Sequence, residues 1–205
     1  MEFPDFYAAA PTIRMHDPLA EFLGAAKDGI IDYRYEDAVR LAGHSCPTVA
    51  SAFTMTRAAL KALHGETTPV RGEIRVDLRE ARDAGVTGVI ASIATLVTGA
   101  TGDTGFRGLG GQFNRRDKLF FDQRLERGNL RFTRLDIGAA VEVACDLSRV
   151  GGDMRMGELM PLCLVGRASA DETKLFRALW QDRVRRILLD HADDSDVISI
   201  FHHPA

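Results

Sequence analysis

The segment from Val86 to Thr98 places the tightest constraint on what this chain can fold into. Val86, Val89, Ile90, Ile93 and Val97 recur at helical spacing, and the residues between them are nearly all apolar or small. A helix of that kind has no face to offer water and needs a central, buried place. At 1.5 Å per residue it reaches only about 20 Å, short of the ~30 Å of bilayer hydrocarbon. It is therefore expected to be the inner helix of a globular core, with other elements packed round it.

Those elements are legible on both sides. Glu73 to Arg79 alternates strictly, with Ile74, Val76 and Leu78 on one face, the pattern of a half-buried strand. Lys118 to Phe121, Asn129 to Leu135 and Ala139 to Asp146 read as three strands. The short connections Glu126-Arg-Gly128 and Asp136-Ile-Gly138 predict that these three form an antiparallel meander. Ser169-Ala-Asp-Glu172 is a capping box opening a helix with Leu175, Phe176, Leu179, Trp180, Val184, Ile187 and Leu188 on its inner face. Asp17 and Pro18 suit the N-cap and first position of a short helix from Leu19 to Gly24, with Leu19, Phe22 and Leu23 on one face. Residues 1–12 read as an extended arm packing on a neighbour. Ile30 to Tyr35 is too short to assign, Glu36 to Leu41 reads as one or two helical turns, and Glu158 to Val165 as a helix. Ile198 to Phe201 reads as a short terminal strand. The expected class is α+β: one domain over 1–205, a mixed or antiparallel sheet with a meander, covered by helices starting near Pro47, Thr87 and Ser169.

Composition narrows the partners. A chain of 205 residues, 45% hydrophobic, holds one substantial core. A net charge of −3 with no basic block does not point to nucleic acid, and no apolar run is long enough for a membrane. The N-terminus has neither the charged nor the apolar region of a signal peptide. Three cysteines, odd in number and far apart, make no disulfide framework and point to a reducing, cytoplasmic setting.

Chemistry concentrates at Gly43-His44-Ser45-Cys46-Pro47, just before an apolar helix over Val49 to Leu63. Pro47 suits the first helical position and Cys46 the N-cap, where the positive end of the helix dipole favours a thiolate. His44 can direct its ring to the same point. An imidazole and an activated sulfur at this spacing suit a metal ion or thiol chemistry, and a buried cysteine beside a core histidine is the remaining possibility. His64, at the far end of the same helix, is about 27 Å from Cys46 and cannot join it within one chain. Cys145 and Cys163 fall on apolar faces and read as core residues. The glycine-rich run Thr98 to Gly111 can cradle an anion through its backbone N–H groups. It follows a helix and lacks G-K-[ST], so a nucleotide-type phosphate loop is the lesser reading of it. It is expected to line the site of His44 and Cys46, with Asp103, Thr104 and Arg107 reaching a ligand.

The stretch Leu41-Ala-Gly-His44-Ser-Cys46-Pro47 with its Ala-rich helix resembles the FmdE family of formylmethanofuran dehydrogenase components, which carries H-G-H-x-C-P-G at a helix start. The run Leu96-Val-Thr-Gly99-Ala100-Thr101-Gly-Asp-Thr-Gly105-Phe is similar to the family's T-G-C-T-x-G-x-G-N, and the resemblance spans roughly residues 35 to 135. Ala42, Thr48, Ser92, Val89 and Ala100 depart from the family pattern, and the absence of any C-x-x-C means no zinc ribbon. The resemblance implies a two-fold homodimer and a zinc-like ion near the H-x-C-P motif, held here by His44 and Cys46. Two protein donors do not close a zinc site. His16 is the first candidate for a third, and Cys145 or a histidine of a second chain the next. An open coordination position would admit a small-molecule ligand or Lewis-acid chemistry. The alternatives are a metal-free thiol enzyme or redox protein using Cys46 with His44, and an accessory component with a vestigial site.

Overall fold

The computed structural model describes residues 2–203. Its elements are α1 (Phe6–Ala9), β1 (Ile13–His16), α2 (Pro18–Phe22), β2 (Ile30–Tyr33), α3 (Tyr35–Ala42), α4 (Pro47–His64), β3 (Ile74–Leu78), α5 (Thr87–Thr98), β4 (Leu119–Phe120), β5 (Leu130–Arg134), β6 (Ala140–Cys145), α6 (Arg155–Leu164), α7 (Ala170–Arg185) and β7 (Ile198–His203). The class is α+β: a β1–β2 hairpin and a mixed five-stranded sheet in the order β4-β3-β5-β6-β7.

α4 is the spine. Pro47 opens it, Cys46 caps it in extended geometry, and Gly65 at φ 56° closes it. One side lies on β5, β6 and β7 and another on α5, so Ala50, Ala52, Phe53, Ala59 and Leu60 are all buried. α5 buries one side, Ala91, Ile93, Ala94 and Val97, but it is not enclosed all round as its apolar character predicts: Val86 is 52% exposed, and Gly88 and Ser92 also face out. Gly99 ends it in the left-handed region at φ 73°, a conformation that costs a side-chain-bearing residue about 1–2 kcal/mol. The buried side chains form one contiguous cluster running from Tyr7 to Ile198.

Register sorts the sheet into an apolar and a polar face. Leu78, Leu130 and Val143 sit side by side, as do Val76, Phe132 and Val141, and all are buried beneath the helices. The alternate row, Asp77, Arg131, Glu142 and Phe201, occupies the other face.

Several sequence expectations are corrected. Residues 2–12 are not an extended arm: Phe6–Ala9 make one helical turn, and Tyr7 is buried edge-on to Tyr35 at 5.0 Å. An aromatic with that much apolar area packs on its own core in preference to waiting for a neighbour. The segment at Lys118 to Phe121 does not join the meander. β4 pairs parallel to β3, because the β3-to-β4 connection contains α5, and a crossover helix returns the chain in the same direction. The antiparallel run is instead β3-β5-β6-β7. Phe22 and Leu23, read on one face with Leu19, are 68% and 61% exposed, with the Phe22 ring 5.6 Å from that of Phe113. Ile30–Tyr33, too short to assign from sequence, is the second strand of the hairpin. No helix among the described residues is long and apolar enough to cross a membrane.

Candidate functional site

The loop between α3 and α4 is held rigidly from behind. Gly43 takes the left-handed geometry (φ 74°) that ends α3. Ser45 then enters a network: its hydroxyl donates to Gln181 Oε1 at 3.3 Å, leaving its oxygen to accept from the Tyr35 hydroxyl at 2.9 Å. Tyr7 donates to the same Gln181 oxygen at 3.1 Å, and Trp180 Nε1 donates to the Ser45 carbonyl at 3.0 Å. Burial pushes the Tyr35 phenol well above its ordinary pKa, which keeps it a donor at any ordinary pH. α1, α3 and α7 thus converge on one serine, and that fixes where the residues on either side of it point.

Those residues are His44 and Cys46. The His44 ring places Nδ1 2.9 Å from the Ala42 carbonyl. A carbonyl only accepts, so Nδ1 carries the proton, and in the neutral ring the Nε2 lone pair is free. Nε2 lies 3.4 Å from Cys46 Sγ. The sulfur also receives the Val49 N–H at 3.5 Å, as an N-cap does. His44 is exposed and Cys46 half-buried. Beside the first turns of α4 lies a cavity of about 380 Å³, lined by Thr48, Ser51, Met55, Glu80, Asn129 and Cys145 among others. Burial pushes the Cys145 thiol up to about 11, helped by the nearby Asp146 charge; it stays protonated and is no competitor for Cys46.

The other site residues expected from sequence lie elsewhere. His16 ends β1, with Nε2 2.8 Å from Glu21. Its backbone carbonyl accepts from Arg71 N, and the Arg71 guanidinium binds the carbonyls of Leu96 and Val97. That places His16 at the C-terminal end of α5, whereas Thr87 and Ile90, at the N-terminal end, share the cavity beside Thr48. The length of α5 separates the two ends, about 18 Å. The glycine-rich segment leaves from the same distant end, tied to Arg115 through Thr101 and Phe106. It does not line the dyad, and Asp103, Thr104 and Arg107 are exposed on it. Among the described residues no three His, Cys, Asp or Glu side chains gather as a metal site. Cys163 is half-buried on α6, and His64 is half-buried, its pKa pulled down by burial and then by Arg134.

Two charged clusters have no counterpart among the sequence expectations. Asp17 binds Arg71 and Arg115 at 2.9 and 2.6 Å. Glu142, fully buried, accepts from the backbone N–H groups of Glu126, Arg127 and Gly128 and from Arg131. Glu142 stands between Val141 and Val143, so alternation alone places it facing water. No local signal pairs Asp17 with residues 54 and 98 positions away.

No family model matches the chain, and no curated protein matches it either.

Proposed function

We propose that the chain is a zinc-type metal-binding protein of the FmdE kind, in which His44 and Cys46 supply two donors to one ion. The observation that carries this reading is the 3.4 Å between Sγ and Nε2. Zinc–sulfur and zinc–nitrogen bonds of about 2.3 and 2.0 Å at a tetrahedral angle put such donors about 3.5 Å apart. The Ala42 carbonyl on Nδ1 is the kind of outer partner that orients a metal-bound histidine and keeps Nε2 free. Imidazole with thiolate suits Zn²⁺ better than Mg²⁺ or Ca²⁺. The ion, when bound, would supply Lewis acidity; the chain's own residues hold it, with Ser45 and its partners keeping both donors in place. Two donors leave positions for a small ligand and for a second copy of the chain in a cytoplasmic homodimer. Purified protein is expected to carry up to one zinc-like ion per chain, and Cys46→Ser to weaken zinc binding on the order of 100-fold, about 2.7 kcal/mol. Folded protein that is metal-free and gives no response to zinc would reject the reading.

A metal-free thiol site is the second reading, favoured by the Val49 N–H on Sγ. There His44 Nε2 takes the proton of Sγ and the thiolate attacks an electrophile. Alkylation separates the two. With metal bound, Cys46 is expected to react slowly and to quicken after chelation; as a free nucleophile its rate ignores chelators.

The dimer has its own measurement. Sedimentation at micromolar concentration is expected to give twice the chain mass, and a monomer would reject it. Within a dimer, His16→Ala is expected to weaken metal binding if His16 of one chain completes the site of the other. Unchanged affinity in both His16→Ala and His64→Ala removes the shared site and leaves the dimer standing.

A further inference from the structure

The glycine-rich segment takes no part in the dyad, and at its base three cations converge. Arg71, Arg115 and Lys118 line a cavity of about 390 Å³ together with Gly111, Phe113 and Asn114. Arg115 is only 5% exposed. Its Nη2 is engaged by Asp17, but its Nε and Nη1, both buried, have no hydrogen-bond partner among the described residues. A buried donor left unpaired is destabilising, and more so when charged. This guanidinium packs into the room that two glycines leave. A Cβ at Gly72 would collide with Nη1, and one at Gly99 would stand 3.0 Å from it. On the cavity rim, the N–H groups of Gly111, Phe113 and Asn114 have no backbone partner among the described residues.

Charge indicates what belongs there. Three cations face two carboxylates, Asp17 and Glu73, leaving one net positive charge. Both Asp17 oxygens are already taken, and Glu73 is more than half exposed and 3.8 Å from Lys118. The C-terminal end of α5 also points here, and its partial negative charge disfavours an anion. Arg71 already binds the Leu96 and Val97 carbonyls at that end, which offsets its partial negative charge. A carboxylate offers two oxygens and one negative charge to Arg115, the Lys118 ammonium and the rim. A phosphoryl group has three oxygens, and an arginine fork with a lysine point charge is a matched set of donors for it.

We propose that this cavity, at the opposite end of α5 from His44 and Cys46, binds the phosphoryl group of a small phosphorylated solute or free phosphate. Inorganic phosphate titrated into the full chain, followed by calorimetry, is expected to show saturable binding of one ion per chain. Lys118→Gln and Asn114→Asp are each expected to weaken it about tenfold. Asn114→Asp keeps the oxygen that accepts from Arg116 N at 3.1 Å and gives up the longer donation to the Arg116 carbonyl at 3.3 Å, while adding a negative charge. Cys46→Ser is expected to bind phosphate as the parent chain does, which separates this site from the metal reading. A small phosphate monoester binding more tightly than inorganic phosphate assigns the solute as the occupant, and the reverse assigns the free ion. No saturable binding up to about 10 mM, equal binding by both variants and the parent, or tighter binding of acetate than of phosphate would each overturn the proposal.

Discussion

Asp17→Asn is expected to destabilise the protein by about 3–5 kcal/mol, the usual result of removing one partner from a buried ion pair. Asp17 is 4% exposed and caps α2 through Leu19 N and Ala20 N. Asparagine caps about as well as aspartate, so the substitution leaves the cap and removes the charge. Arg115 would then be buried with no counter-ion, and Arg71 would lose its anchor while still attached to the end of α5. Burial alone would raise the Asp17 pKa. The Arg71 hydrogen bond, the Arg115 charge and the Ala20 N–H outweigh it and hold the carboxyl below its ordinary value. A depressed carboxyl contributes stability that is full above the unfolded value and is lost as pH falls through the folded one. The parent chain should therefore lose stability below pH 3.8 partly through this group, and Asp17→Asn should lack that component. Urea unfolding at several pH values measures both. A loss under about 1 kcal/mol would show that the pair is not coupled to the fold.

The second large effect is expected at Glu142, where glutamine should cost about 3 kcal/mol or more. The carboxylate collects three backbone N–H groups from the turn before β5 and the Arg131 guanidinium at 2.6 Å. Glutamine offers one acceptor oxygen and aims an NH₂ at donors, so at least one buried N–H and the guanidinium lose their partner. Gly128 belongs to the same arrangement: a Cβ there would stand 2.6 Å from Glu142 Cβ and 2.8 Å from Val143 N. Burial would raise the Glu142 pKa. The N–H groups of Gly128 and Arg127, then Arg131 and the Glu126 N–H, overcome it and lower the pKa to about 2. Its contribution is full above 4.5 and lost as pH falls toward about 2. Thermal unfolding of Glu142→Gln against the parent should show a lower midpoint at neutral pH and a gap that narrows across that window. A gap that stays constant down to pH 2 would refute the assignment.

The elements that sequence determined by itself are those whose cause is local. The capping box at Ser169 is present with both of its bonds, 3.2 Å from Glu172 N to Ser169 Oγ and 2.7 Å from Ser169 N to Glu172 Oε2. Cys46 caps α4 with Pro47 behind it, because an N-cap needs only its own next few residues. The approach of His44 to Cys46 is legible for the same reason, the two being separated by one residue. Strand β3 follows from period-two alternation, and α5 as a helix with a buried side from its apolar spacing, though not the exposure of Val86 and Ser92 on its other side.

Tertiary structure alone decided the rest. β4 joins β3 because α5 turns the chain back, and a two-residue strand carries no pattern that announces its partner. The chemistry of their residue types puts His16 and the glycine-rich segment at the dyad. They lie at the other end of α5, because donor chemistry carries no distance and only the packed helix sets one. Asp17 with Arg71 and Arg115, and Glu142 with the turn before β5, are bonds between residues far apart in the chain. Their energy arises from burial, and a charge has no burial until the chain that surrounds it has folded.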